Sequence, residues 1–154
     1  VVDGLTESID ILPTILDWTG AEVPHTCDGR SLLGAIRGRR PAGKDAVHFE
    51  FSLRGGFMAP DRWALGLDYR TCDLTVLRTD RYKYVHFQAL PPLLFDLQED
   101  PGELRNLADD PAAAAVMLEM AQKMLSWRMH FAERELVNLS ASPTGLVRVG
   151  GAYA

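Results

Sequence analysis

Residues 73–107 read DLTVLRTDRYKYVHFQALPPLLFDLQEDPGELRNL, and the punctuation of this stretch decides the fold. Leu74 and Val76, then Tyr82 and Tyr84, fall on alternating positions, the period of a half-buried strand. Thr79 and Asp80 interrupt the run between the two pairs, so the chain reverses there and the strands pair with each other. Residues 93–97, LLFDL, form a third, short apolar run. It is bounded by Pro91-Pro92 on one side and Asp100-Pro101-Gly102 on the other, both of them turn signals. Upstream, residues 46–52 read AVHFEFS, with Val47, Phe49 and Phe51 alternating against His48, Glu50 and Ser52, which makes a further half-buried strand.

Helical signals flank this sheet. Asp110 and Pro111 open the last helix, with Asp as N-cap and Pro at the first helical position. From Ala112 to about Glu135 the chain is rich in Ala, Met and Leu, good helix formers. Met117, Met120, Met124 and Trp127 recur at three- and four-residue spacing beside Ala114, Leu118, Ala121 and Leu125. A stripe this wide must pack on something, and the adjacent antiparallel sheet is the economical choice; a Met-rich stripe also suits an adaptable partner surface. At the other end, residues 8–20, SIDILPTILDWTG, predict a helix. Asp10 serves as N-cap, its carboxylate taking first-turn N–H groups. Pro13 sits where a missing N–H costs little. Leu12, Ile15 and Leu16 make an apolar face, and Gly20 closes the helix in a left-handed conformation. Residues 31–36 predict a helical turn capped by Asp28 or Ser31. The expected fold is therefore α+β: a small antiparallel sheet of about four strands, packed against a long C-terminal helix, with an N-terminal helical segment.

Composition narrows the class. The 154 residues suffice for a real core. No apolar run approaches the roughly 20 residues that span a bilayer, so no membrane partner is expected. A formal charge of -5 argues against nucleic acid, which needs a basic face. Arg37, Arg39 and Arg40 cluster, but Gly38 and Pro41 mark a solvated loop. The two cysteines, Cys27 and Cys72, fit a reducing compartment such as the cytoplasm. The opening residues, VVDGLTES, read as the start of a piece cut from a longer protein. Residues 40–43 mark a subdomain boundary, residues 53–71 a long connection without clean period, and residues 138–154 an extended tail.

Two ordered motifs carry a resemblance. Residues 78–84, RTDRYKY, followed by residues 94–107, LFDLQEDPGELRNL, resemble the C-terminal subdomain of the formylglycine-dependent sulfatases and their phosphonate monoester hydrolase relatives, within the alkaline phosphatase superfamily. Residues 10–20, DILPTILDWTG, and residues 28–32, DGRSL, resemble an earlier pair of motifs in the same family, in the same order. The wording looks closest to the phosphonate monoester hydrolase branch. The resemblance implies that residues 1–40 are the end of a sulfatase-like catalytic α/β domain and residues 41–137 a C-terminal α+β subdomain. It implies a parent that hydrolyses sulfate, phosphonate or phosphate esters with a formylglycine nucleophile and a divalent metal. Its partners would be the missing N-terminal catalytic domain and, through helix or tail, further copies of itself.

The chemistry itself is not legible in these residues. Formylglycine is made from Cys in a Cys-x-Pro/Ala-x-Arg motif. Cys27 is followed by Asp-Gly-Arg-Ser and Cys72 by Asp-Leu-Thr-Val, so neither fits. No residue is expected to be catalytic, none to bind metal, and no cofactor is expected in this chain. Asp96, Asp100 and Glu103 lack the alternating spacing of a calcium loop and read as a turn. Asp109 and Asp110 read as helix capping. His25, His48, His86 and His130 show no triad spacing. Arg54 and Arg62, in the aromatic and Gly-rich connection, are the candidates for the rim of the parent's anion-binding cleft. The alternative expectation is a non-catalytic module for oligomerisation or partner docking.

Overall fold

The computed structural model describes residues 4–39, 44–53 and 64–131, and the backbone of residues 139–142 and 145–148. Four strands form one antiparallel sheet: β1 (Val47–Ser52), β2 (Asp73–Arg78), β3 (Tyr82–Phe87) and β4 (Leu93–Asp96), in the order β1-β2-β3-β4. The reversal predicted at Thr79 is a tight one. Its amide donates to the Tyr82 carbonyl at 2.8 Å, and its hydroxyl accepts from the Tyr82 amide at 2.9 Å.

Register explains the core. Leu77 lies opposite Tyr84, and Tyr84 opposite Leu94, so the three share one face, and all are buried. Val76 lies opposite Val85 on the other face, and both are buried as well. The central strands are thus covered on both faces, which alternation alone does not reveal. β1 differs. It is an edge strand, and Phe49 and Phe51, expected to be half-buried, are exposed. Leu53, Leu67 and Cys72 make a small cluster of their own, with Leu90 packed against it.

The helices are α1 (Ile11–Thr19), a single turn α2 (Leu33–Ile36) and the long α3 (Ala114–Phe131). Gly20 closes α1 at φ 75°, and its amide and that of Ala21 return to the Asp17 and Leu16 carbonyls. Asp110 caps the turn Pro111–Ala113 that leads into α3, its carboxylate accepting from the Ala112 amide at 2.9 Å. The methionine stripe is narrower than its sequence spacing: Met120 and Met124 are buried, whereas Leu118 and Leu125 are exposed.

The chain divides into two compact units, Val1–Ala121 and Gln122–Ala154. The first holds the sheet, α1 and α2. The second contains the end of α3, where the Trp127 and Phe131 rings lie 5.3 Å apart, and an antiparallel hairpin of β5 (Leu139–Ser142) and β6 (Gly145–Arg148). That hairpin falls where the sequence reads as a tail, because its four-residue strands, LSAS and GLVR, are short and lie among Gly, Ser and Pro.

Candidate functional site

One polar cluster is built on the N-terminal segment. A short 3-10 turn, Ser8–Asp10, precedes α1. Asp10 stands at the N-cap position of α1, but its carboxylate caps nothing there. It turns backward: one oxygen accepts from the Glu7 amide at 2.9 Å, closing a capping box around the 3-10 turn. The other accepts from the Arg30 amide at 2.8 Å and from Lys44 Nζ at 2.6 Å. The expected capping of α1 by this side chain is therefore corrected. Lys44 also reaches Glu7, at 2.5 Å, and Glu7 accepts from the His48 amide at 2.9 Å. Asp10 is 0% exposed. Glu7, Arg30, Lys44 and His48 thus converge on or beside Asp10 from three separate stretches. Lys44 lies 34 residues away from it, so no local pattern joins them.

Electrostatics follow from this geometry. Burial alone pushes the Asp10 carboxyl up, but the Lys44 hydrogen bond, the two amide bonds and the Lys44 charge together outweigh it and hold the group below the usual carboxylate range. Burial pushes the His48 imidazole down; Glu7 opposes this and Lys44 adds to it. Both shifts favour the fold above the unfolded-state values and are lost on acidification. His48, lowered from about 6.5, begins to cost stability as pH falls below that value. Asp10, lowered from about 3.9, loses its contribution only as pH falls through its folded value. Thermal unfolding across pH 8 to 3 should show stability flat above about 6.5, a shallow loss below it, and a steeper one below about 4. His48→Gln should remove the first stage and leave the second.

The turn between β4 and α3 is a structural clamp. Asp96 accepts from Arg81 Nε and Nη2 at 3.0 and 2.8 Å, and from the Gln98 and Glu99 amides. The Arg81 guanidinium holds the Asp96 carboxyl below its ordinary range, against burial. Asp100 accepts from the Arg105 amide at 2.7 Å, and Glu103 pairs with Lys83 at 2.6 Å. Asn106 accepts from the Leu94 and Ala108 amides. The left-handed residue is Glu103, at φ 55°, not the neighbouring Gly102. Every acidic group considered for a cation loop is thus engaged in holding the turn.

The nucleophile and metal can be tested against the residues present. Cys72 is buried, and its thiol donates to the Tyr69 carbonyl at 3.2 Å. Cys27 is half-buried, and both cysteines are free. Among the described residues, no three His, Cys, Asp or Glu side chains are grouped to hold a metal ion. The described residues therefore do not fit the formylglycine–metal centre. Arg54 and Arg62 lie outside the described residues.

This fold has counterparts. Residues 1–130 match the family model described as N-sulphoglucosamine sulphohydrolase, C-terminal. The chain belongs to this family. Among individual relatives, it is 47% identical over 147 residues to the multifunctional alkaline phosphatase superfamily protein PehA of Trinickia caryophylli, covering 95% of this chain and 29% of that protein. It is 32% identical over 113 residues to a Delta 4,5-hexuronate-2-O-sulfatase of Bacteroides thetaiotaomicron, covering 73% of this chain and 21% of that one. The crystal structure of the phosphonate monoester hydrolase of Agrobacterium radiobacter superposes with a TM-score of 0.76 at 38% identity, covering 97% of this chain and 30% of that chain. The chain therefore spans at most about three tenths of these relatives. The resemblance drawn from the two motif pairs is thus borne out, as is the four-stranded α+β architecture with its N-terminal and long C-terminal helices. Among the described residues, no helix is long and apolar enough to cross a membrane.

Proposed function

We propose that this chain is the C-terminal module of a sulfatase-like hydrolase of sulfate or phosphonate and phosphate esters, and that it holds neither the nucleophile nor the metal ligands. The observation that carries this reading is 47% identity to the alkaline phosphatase superfamily protein across nearly the whole chain. Agreement with a phosphonate monoester hydrolase structure supports the phosphonate branch. The formylglycine and the divalent metal belong to the preceding part of the polypeptide, where the metal would polarise the ester and the nucleophile. Arg54 and Arg62 would stand at the rim, placing positive charge near the leaving group. Two free cysteines support a reducing compartment, the cytoplasm.

The test is a comparison of two polypeptides. The 154-residue chain should show no turnover of p-nitrophenyl sulfate or of a p-nitrophenyl phosphonate monoester. The longer protein containing it should hydrolyse at least one of them, and chelation of its metal should abolish that activity. Arg54→Ala and Arg62→Ala in the longer protein should lower kcat/KM by about tenfold or more, the order expected for removing an oriented charge. Turnover by the 154-residue chain, or none by the longer protein with any such ester, would remove the reading.

A further inference from the structure

We draw no further inference here: the strongest candidate, the exposed aromatic surface patch that Phe49 and Phe51 form on edge strand β1, carries nothing because nothing in the structure shows what covers it.

Discussion

Gly29→Ala should destabilise the first unit by about 3 kcal/mol or more, the largest effect of a methyl at any described glycine. An ideal Cβ at Gly29 would stand 2.0 Å from the Ile9 carbonyl oxygen, 2.5 Å from its carbon and 3.0 Å from the Asp10 amide nitrogen. All three are backbone atoms, so no side chain can swing aside. The backbone they belong to is also pinned, because Asp10 is tied to the Arg30 amide and to Lys44. Relief requires pulling residues 28–32 away from the 3-10 turn, which would stretch the Arg30 and Leu32 amide bonds in turn. Two other glycines serve as controls. Gly34 lies in α2 with nothing within 4 Å of a Cβ, so Gly34→Ala should be neutral or stabilising by about 0.5 kcal/mol. Gly20 also has open space but sits at φ 75°, so Gly20→Ala should cost about 1 kcal/mol. Thermal melts of the 154-residue chain should rank the losses Gly29→Ala first, Gly20→Ala second and Gly34→Ala last, with Gly29→Ala lowering Tm by about 6 °C or more. A Gly29→Ala shift no larger than that of Gly20→Ala would contradict the close approach.

The contrast among these glycines shows what local sequence can and cannot report. Gly20 was legible because a left-handed C-cap follows from its place after an apolar helical face. Gly29 was not, because what forbids its side chain is a carbonyl 20 residues earlier. The same division runs through the rest of the fold. Strands β2 and β3 and the turn at Thr79 are written in neighbouring residues, as is the Asp110-Pro111 start of the last helix. The role of Asn106 is not, since it depends on the Leu94 amide, 12 residues away. Glu103 was read only as a turn acid, yet its conformation and its partner Lys83, 20 residues away, make it part of a clamp. Phe49 and Phe51 mark a strand correctly by period, but period does not say that the strand is an edge or which of its faces is covered. Asp10 shows the error that local rules produce. A carboxylate before an apolar helix satisfies the N-cap rule, and the rule stops there, while burial and a lysine in another segment decide what the group does.

Asp10→Ala should cost about 3 kcal/mol, second only to Gly29→Ala. The side chain removed is fully buried and accepts three hydrogen bonds, from Glu7 N, Arg30 N and Lys44 Nζ. Its loss strands two amides and leaves Lys44, only 11% exposed, with Glu7 alone. The two stranded amides and the loss of one of the two carboxylates that neutralise Lys44 make up that cost. Lys44→Met should cost less, about 1–2 kcal/mol at pH 7, because Asp10 keeps both amide donors. It should also move acid unfolding to higher pH. Burial already pushes the Asp10 carboxyl up, and without the lysine less remains to hold it down. Asp10→Asn combined with Lys44→Met removes both charges and keeps an amide acceptor in place. The pair of changes should therefore cost at least 1 kcal/mol less than the sum of the two single ones, the coupling expected of groups in contact. Urea unfolding of the four proteins measures this through the midpoint, provided the slope is constant. If instead the costs simply add, Lys44 and Asp10 do not depend on each other, and the segment before α1 is held to residue 44 by packing rather than by charge.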